Sequence, residues 1–289
     1  MITSKTQKVG LICWPIGHSL SPLMHNAVFE KLGLDWVYLP LPTQPEYLKD
    51  GIAGLRALGF VGSNVSVPHK TQVIQFMDEL DASAKQMQAV NTIKVVDGRL
   101  VGSNTDPVGF VRQLTSEGVN PDGMNVLMIG AGGAARAAIF GLSKLNVNQI
   151  VVMDVLESRA ASLVSDLQCL FKPTGLQCKP LEEKSFAEAG TNCDLVVNAT
   201  PIGMTPEEDA TPWPEKVDLP RNAVFYDIVY NPQQTKFLSR ASYEGHKTIG
   251  GLGMLAHQGA ASFETWTGIQ PPVALMLRVC EEALKGAKK

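Results

Sequence analysis

The sequence predicts an α/β fold with two domains, and three observations lead to that prediction. The chain has 289 residues, too many for one domain of about 150 residues and few for three. Short apolar segments alternate with amphipathic segments, as strands and helices do when helices cover a mostly parallel sheet. A glycine-rich turn in the middle of the chain follows an apolar segment and precedes a helical pattern, so a second α/β series starts there.

The composition is that of a globular protein and argues against several classes of partner. Hydrophobic residues make up 45% of the chain, charged residues make up 18%, and the net charge is −3. This balance supplies no broad cationic surface for nucleic acid, and no apolar stretch is long enough to span a membrane. The five cysteines and five histidines form no CxxC or HExxH motif. We therefore expect a cytoplasmic protein with reduced thiols and with no metal, membrane or nucleic acid as partner.

The first region, residues 1–108, is predicted as an α/β domain with a mostly parallel sheet and an antiparallel edge. Short apolar or β-branched segments bounded by Gly, Pro or Ser indicate strands at 9–14, 36–41 and 64–67. Helices are expected at 21–32 and 45–58, and a hairpin over 92–103 turns at Asp97-Gly98.

The second region, residues 109–249, repeats this alternation and is predicted as a Rossmann-type domain. It opens with a helix that ends in the turn-rich Asn120-Pro121-Asp122-Gly123. Strands are expected at 125–129, 149–153, 195–198 and 223–227, and helices at 134–145 and 157–167. A proline-rich loop covers 201–220, and the remaining segment, 250–289, carries helices at 252–266 and 272–285.

The glycine-rich turn, Gly130-Ala131-Gly132-Gly133-Ala134-Ala135, has the GxGxxA form of a dinucleotide-binding turn. Gly130 permits the tight turn, Gly132 lets the backbone approach a pyrophosphate, and Ala135 lets the helix pack closely on the strand. The N–H groups and the dipole at the start of the helix favour the phosphate charge. The alternative is a glycine-rich turn without a ligand, but its position between strand and helix favours a dinucleotide.

Asp154 predicts which dinucleotide binds. It follows the next strand, where a carboxylate accepts hydrogen bonds from the adenosine ribose hydroxyls and repels a 2′-phosphate. The two residues after it are uncharged. Arg159 either contacts the ribose or adenine edge or is a solvated residue paired with Glu157 or Asp166. The prediction is therefore NAD in preference to NADP.

Polar residues of the first region cluster at the ends of its predicted strands. The clusters are Ser19 with Ser21, Ser66 with Lys70, Asn91 with Thr92, and Asn104-Thr105-Asp106. Taken singly, each is ordinary capping or turn chemistry. Because ligands of α/β sheets bind beyond the strand ends, the clusters together predict a site at one edge of the sheet.

A set of motifs in a fixed order carries a resemblance to a known family. The motifs occupy residues 17–26, 64–70, 89–92, 104–106, 130–137, 197–204 and 251–255, with Gln258 after the last. They cover nearly the whole chain, which resembles shikimate dehydrogenases and in particular the quinate/shikimate dehydrogenases that prefer NAD. The resemblance implies interconversion of shikimate and 3-dehydroshikimate, and of quinate and 3-dehydroquinate, by hydride transfer at C3. The partner would be a small cyclic polyol carboxylate, and the protein either a monomer or a homodimer.

The resemblance also implies a domain arrangement and a role for particular residues. The helices in 250–289 would return to the first domain, which would bind the substrate. The catalytic pair would be Lys70 and Asp106. The substrate would be bound by Ser19, Ser21, Ser66, Lys70, Asn91, Asp106, Tyr230 and Gln258. The cofactor would be bound by Gly130, Ala131, Gly132, Gly133, Ala134, Asp154, Arg159, Thr200, Ile228 and Gly251. Three neighbouring histidines, His18, His25 and His69, are expected to be structural.

The roles of Lys70 and Asp106 also make sense from the reaction. Oxidation of a secondary alcohol releases the hydroxyl proton as hydride leaves the carbon, and reduction returns both. A lysine ammonium can donate to the developing alkoxide, and a carboxylate beside it favours the charged form and orients it. How the two residues share the proton is left open.

One departure from the family bears on the cofactor. NADP-dependent members commonly carry Asn-Arg-Thr after the second strand of the nucleotide domain, whereas this chain has Asp154-Val155-Leu156. The alternatives are an NADP-dependent biosynthetic enzyme, a dehydrogenase of amino-substituted shikimate or quinate, and an NAD-binding sensor without activity. The presence of both Lys70 and Asp106 argues against the sensor.

Overall fold

The structure is a computed structural model that describes residues 2–17 and 19–286, so His18 and the last three residues of the segment 250–289 lie outside the described residues. The chain divides into two compact units: unit 1 comprises Met1–Gly109 with Ala256–Lys289, and unit 2 comprises Phe110–Leu255. The sequence placed the second boundary after residue 249, before a helix, whereas the division falls inside that helix. The reason is that Met254, in the first turn of the helix, packs in the core of unit 2.

The elements alternate along the chain as an α/β fold requires, and the predicted α/β class is confirmed. The strands are β1 Gln7–Cys13, β2 Trp36–Pro42, β3 Gly62–Val65, β4 Glu79–Leu80, β5 Thr92–Val96, β6 Arg99–Ser103, β7 Asn125–Ile129, β8 Gln149–Met153, β9 Leu176–Cys178, β10 Leu195–Asn198, β11 Val224–Asp227 and β12 Thr248–Gly250. The helices are α1 Ser21–Lys31, α2 Leu48–Ala57, α3 Ala82–Met87, α4 Asp106–Ser116, α5 Gly133–Leu142, α6 Glu157–Leu167, α7 Glu183–Gly190, α8 Lys236–Tyr243, α9 Leu252–Thr267 and α10 Val273–Gly286. Among the described residues, none of these helices is both long and apolar enough to cross a membrane.

The sheet of unit 1 has the order β2-β1-β3-β5-β6-β4 and is mixed. Strand β1 pairs in parallel with β2 and β3, whereas β5 runs antiparallel to both β3 and β6. The register aligns Asn64 with Thr92 and Thr92 with Ser103. As a result, the amino end of β5 lies at the same edge of the sheet as the carboxyl ends of β1, β3 and β6.

Helix α2 shows how the apolar pattern of unit 1 builds its core. Leu48, Ile52 and Leu55 recur at helical spacing and are buried against Ile12 and the other core residues of the sheet. The sequence predicts this helix from residue 45, but the chain first makes a 3₁₀ turn, Pro45–Tyr47, and becomes α-helical at Leu48. Proline at the start of the turn costs no hydrogen bond, because the first N–H groups of a helix have no partner within it.

The sheet of unit 2 is parallel throughout, with the order β12-β11-β10-β7-β8-β9. Helices cover both faces, and the four residues Val126–Ile129 of β7 are therefore all buried, which explains the continuous apolar run in the sequence. The strand order reverses between β7 and β10. In a Rossmann-type sheet, this reversal is the point beyond which a dinucleotide binds.

Candidate active site

The polar clusters of unit 1 meet at the edge where β1, β3 and β6 end. Lys70 follows β3, and Asp106 is the first residue of α4 after β6. Asn91 precedes β5 and reaches the same edge only because β5 runs antiparallel to its neighbours. The topology therefore places these three sequence-predicted residues together.

Lys70 and Asp106 form a half-buried ion pair. The Nζ atom of Lys70 lies 2.7 Å from Oδ2 of Asp106, and their side chains are 31% and 15% exposed. Asn91 donates from Nδ2 to Oδ1 of Asp106 at 2.8 Å. Each oxygen of the carboxylate thus has a donor that fixes its orientation, while the ammonium of Lys70 retains N–H groups for a further acceptor.

Asn91 itself is held by buried neighbours. Its Oδ1 accepts from the backbone N–H of Thr105 and from the hydroxyl of Thr92, each at 2.8 Å. Its Nδ2 is 3.5 Å from Oε1 of Gln258 on α9. Asn91 is only 2% exposed, and its Nδ2 also donates to the hydroxyl of Thr105 at 3.0 Å, so its buried partners fix the orientation of the amide. Gln258, expected from the sequence, therefore lies next to the ion pair.

A second layer of polar residues supports this cluster, and the sequence did not single out most of it. Tyr38 donates its hydroxyl to Oδ1 of Asn64 at 2.9 Å, and Nδ2 of Asn64 donates to Oγ of Ser262 at 3.0 Å. Ser262 in turn lies 2.8 Å from the hydroxyl of Thr92. Burial raises the pKa of Tyr38 well above its usual value, so the phenol stays protonated and remains a donor. The signal that could have revealed this layer was Tyr38, a residue with a polar hydroxyl inside the otherwise apolar strand β2.

The serines expected to bind substrate lie in the segments that follow β1 and β3. Helix α1 begins at Ser21, and its N-cap position is Leu20. Neither Ser19 nor Ser21 is therefore the N-cap residue, although helix capping was the ordinary explanation for this pair of serines. The N–H of Ser21 instead donates to Oγ of Ser19 at 3.3 Å. Ser66 is half-buried directly after β3, and its hydroxyl makes no hydrogen bond within the described part of the chain.

His25 and His69, two of the histidines near these motifs, have structural contacts. His25 is fully buried and stacks on Tyr38, with ring centroids 4.5 Å apart. Burial lowers the pKa of His25 to about 3, so its ring is neutral at ordinary pH. His69 is buried as well, and its Nε2 lies 2.8 Å from the carbonyl oxygen of Thr43. Both histidines therefore have contacts that fit the structural role expected of them.

In unit 2, the glycine turn has the backbone that a dinucleotide requires. Gly130 has φ +102°, a value that L side chains rarely adopt, and a Cβ there would lie 2.9 Å from Cγ2 of Thr200. Gly132 and Gly133 are exposed at the start of α5, and a Cβ on either would have no neighbour within 4 Å. Ala135 is fully buried beneath them. This open helix start, with its unpaired N–H groups, fits a pyrophosphate.

Asp154 braces the glycine turn in addition to any contact with a ribose. Its Oδ2 accepts from the N–H of Ala131 at 2.8 Å, and its Oδ1 accepts from the N–H of Leu156 at 2.9 Å. The side chain is 8% exposed. Each oxygen keeps a further lone pair for a hydroxyl donor, so the carboxylate fits the role predicted for it.

Arg159 is exposed and makes no ion pair with Glu157 or Asp166 among the described residues. Asp166 instead pairs with Arg136. The surface pairing that the sequence allowed for Arg159 is therefore not observed.

The other residues expected to contact the cofactor follow three neighbouring strands. Thr200 follows β10, Ile228 follows β11, and Gly251 follows β12. A Cβ at Gly251 would lie 2.0 Å from the carbonyl oxygen of Ile228, so only glycine allows this close packing of the two turns. Tyr230 also lies in this part of unit 2, whereas the other residues expected to bind substrate belong to unit 1.

A buried carboxylate that the sequence analysis missed connects these turns. Asp227, the last residue of β11, accepts from Nδ2 of Asn198 at 2.9 Å, from the N–H of Val229 at 3.0 Å and from the hydroxyl of Thr235 at 2.7 Å. Burial raises the pKa of Asp227 to about 6, although these three hydrogen bonds act in the opposite direction. An aspartate at the end of an apolar strand was the available signal.

Replacement Asp227→Asn should change how stability depends on pH. The pKa of Asp227 in the folded protein is about 6, above the ordinary value of 3.8. The protonated carboxyl therefore stabilises the fold fully below pH 3.8, and this contribution is lost as the pH rises through about 6. An asparagine does not titrate. Between about pH 4 and about pH 6 we expect the wild type to lose up to about 2 kcal/mol of unfolding free energy relative to the variant. Urea unfolding at several pH values in this range measures the unfolding free energy of both proteins. If the two free energies change with pH in parallel, the prediction is wrong.

Comparison with known proteins agrees with this geometry. The family described as "Shikimate dehydrogenase substrate binding domain" matches residues 11–93, and "Shikimate 5'-dehydrogenase C-terminal domain" matches residues 251–281. The chain is 43% identical over 280 residues to a shikimate dehydrogenase (NADP(+)) of Desulforamulus reducens, with 96% of each chain covered.

Two solved structures extend the comparison to three dimensions. Shikimate 5-dehydrogenase of Listeria monocytogenes, in complex with shikimate and NAD, has a TM-score of 0.91 and 35% identity over 96% of this chain and 98% of that one. Quinate dehydrogenase of Corynebacterium glutamicum, in complex with NAD, has a TM-score of 0.88 and 29% identity over 96% of this chain and 99% of that one. From the fold, the site residues and these similarities, we conclude that the chain belongs to the shikimate dehydrogenase family and is an oxidoreductase that acts on a CH–OH group.

Proposed function

We propose that the protein interconverts shikimate and 3-dehydroshikimate with NAD, and that it accepts quinate as a second substrate. In this proposal, unit 1 binds the cyclic polyol carboxylate and unit 2 binds the dinucleotide. The observation that carries it is the Lys70–Asp106 ion pair, held by Asn91 at the edge of the sheet where polar residues converge. A cytoplasmic location is part of the same proposal, and the five free cysteines support a reducing compartment.

Lys70 is the proposed acid and base. In the direction of reduction, its ammonium donates a proton from Nζ to the carbonyl oxygen as that oxygen becomes a hydroxyl. Asp106 lies 2.7 Å from Nζ and orients the ammonium, so the proton is held at a fixed position. In the direction of oxidation, the pair receives the hydroxyl proton. When bound, the nicotinamide supplies or accepts the hydride.

The remaining polar residues of unit 1 would orient the substrate. The hydroxyls of Ser19 and Ser21 are proposed to bind the carboxylate, and the amides of Asn91 and Gln258 the ring hydroxyls. Ser66 supports this assignment because its hydroxyl has no partner within the described part of the chain and stays free for a ligand. Nδ2 of Asn91 and Oε1 of Gln258 are 3.5 Å apart, so the two amides would act at the same place.

Asp154 supports NAD over NADP as the cofactor. Its carboxylate is fixed against the glycine turn by Ala131 and Leu156, so it cannot move away from a 2′-phosphate without breaking two hydrogen bonds. Val155 is 72% exposed and Leu156 is 51% exposed, and neither supplies a positive charge for that phosphate. The name of the D. reducens relative favours the alternative, NADP.

Steady-state oxidation of shikimate and quinate with each dinucleotide tests the proposal. We expect NADH formation with both substrates and a kcat/KM for NAD at least about tenfold above that for NADP. The variant Val155→Arg should narrow this ratio, because it adds a cation next to Asp154. A clear NADP preference of the wild type would contradict the cofactor assignment, and binding of NAD without turnover of either substrate would favour a sensor.

A further inference from the structure

We propose that Asp227 is a positioning residue of the dinucleotide site, which holds the turns after β10 and β11 in the form that binds the cofactor. The inference rests on the proposed binding of NAD by unit 2. Asp227 is fully buried, at 0% exposure, and its two oxygens are engaged by protein donors. It therefore acts through its neighbours and does not bind the ligand itself.

The carboxylate of Asp227 joins three separate segments of unit 2. Its Oδ1 accepts from Nδ2 of Asn198, at the end of β10, and from the N–H of Val229, after β11. Its Oδ2 accepts from the hydroxyl of Thr235, which caps α8 by accepting from the N–H of Leu238. One side chain thus fixes the end of β10, the turn after β11 and the start of α8 relative to one another.

Together with the carbonyl oxygen of Ile202, which also accepts from Nδ2 of Asn198 at 3.2 Å, the carboxylate determines which way the amide of Asn198 points. Because a carboxylate only accepts hydrogen bonds, Asn198 must present Nδ2 to Asp227 and its Oδ1 to the other side. That Oδ1 accepts from the N–H of Thr200 at 3.0 Å and from its hydroxyl at 2.6 Å. The orientation of Asn198 therefore sets the conformation of Thr200.

This turn borders the glycine turn directly. A Cβ at Gly130 would lie 2.9 Å from Cγ2 of Thr200 and 3.0 Å from the carbonyl of Ala199, so the two turns are in close contact. The N–H of Ile228 donates to the carbonyl oxygen of Asn198 at 2.9 Å. A shift of Asn198 is consequently passed both to Thr200 and Ile228 and to the wall of the glycine turn.

The dissociation constant of NADH, measured by its fluorescence, tests the inference with the purified full chain. Asp227→Ala leaves the N–H of Val229 without its acceptor and leaves Nδ2 of Asn198 with only the carbonyl oxygen of Ile202. We expect the dissociation constant to rise about tenfold. Asp227→Asn keeps an acceptor for both donors, so NADH should bind within about threefold of the wild type. Thr235→Val removes the contact to Oδ2 together with the cap of α8, keeps both contacts to Oδ1, and should give an intermediate dissociation constant.

Asp194→Ala is the matched control. Asp194 accepts from the N–H of Asn125 at 2.8 Å. This contact lies at the amino ends of β7 and β10, whereas Asp227 lies at the carboxyl end of β11. Its loss removes a similar hydrogen bond, and should lower stability but leave NADH binding within about twofold of the wild type.

Two results would overturn the inference while the proposed function stands. One is a folded Asp227→Ala protein that binds NADH as tightly as the wild type, and the other is an Asp227→Asn protein that binds as weakly as Asp227→Ala. If Asp227→Ala does not fold, the dissociation constants of NADH for Asp227→Asn and Thr235→Val decide the question. A Thr235→Val protein that binds NADH as tightly as the wild type would then overturn the inference. A wild type that binds no NADH would overturn both the proposed function and this inference.

Discussion

Replacing Lys70 by alanine should lower kcat for shikimate oxidation by at least about 10²-fold, the lower range of a general acid–base contribution. The variant keeps Asp106 and Asn91 but loses the group that delivers the proton at Nζ. Because the proposed dinucleotide site is formed by unit 2, the dissociation constant of NADH should stay close to the wild-type value. Steady-state kinetics and NADH fluorescence measure the two quantities separately.

The control for this variant is Lys49→Ala, which removes an exposed lysine from α2. It should leave kcat unchanged, because it lies on the helix and not at the sheet edge that carries the site. A near-normal kcat in Lys70→Ala would refute the proposed role of Lys70, whatever the control shows. A lost NADH affinity in the same variant would mean that the substitution disturbs more than proton transfer.

Replacing Gly130 by alanine should weaken NADH binding by about 10- to 100-fold and lower the unfolding free energy by about 1–3 kcal/mol. Two physical effects add here. An alanine at φ +102° is strained, and its Cβ would lie 2.9 Å from Cγ2 of Thr200 and 3.0 Å from the carbonyl of Ala199. Relief of this contact displaces the turn whose N–H groups are proposed to bind the pyrophosphate.

Gly98→Ala separates the strain from the loss of the ligand site. Gly98 has φ +76° in the hairpin between β5 and β6, and a Cβ there would have no neighbour within 4 Å. We expect this variant to lose stability by about 1 kcal/mol and to bind NADH like the wild type. An unchanged NADH affinity in Gly130→Ala would show that the glycine turn does not bind the dinucleotide.

Local sequence patterns were sufficient for the longer elements, and the resemblance to the family singled out Lys70 and Asp106, which the structure brings together. Strands β7 and β8 and helix α6 have the predicted bounds, because a buried parallel strand is a continuous apolar run and a covering helix has a regular apolar stripe. The short strands β4, β9 and β12 were missed. They have only two or three residues, and a segment of that length becomes a strand through pairing with its neighbours and not through its own composition.

The sequence by itself determined the α/β class and the two series of strands and helices. It also singled out Lys70, Asp106 and the glycine turn as candidate site residues. Only the tertiary structure decided that Asn91 reaches the ion pair, because that depends on the antiparallel direction of β5. It also decided that Asp154 braces the turn it was expected to serve, and that Asp227 fixes the turns beside it. The physical reason is the same in each case: hydrogen bonds between residues far apart in sequence depend on strand order and burial, which no local pattern records.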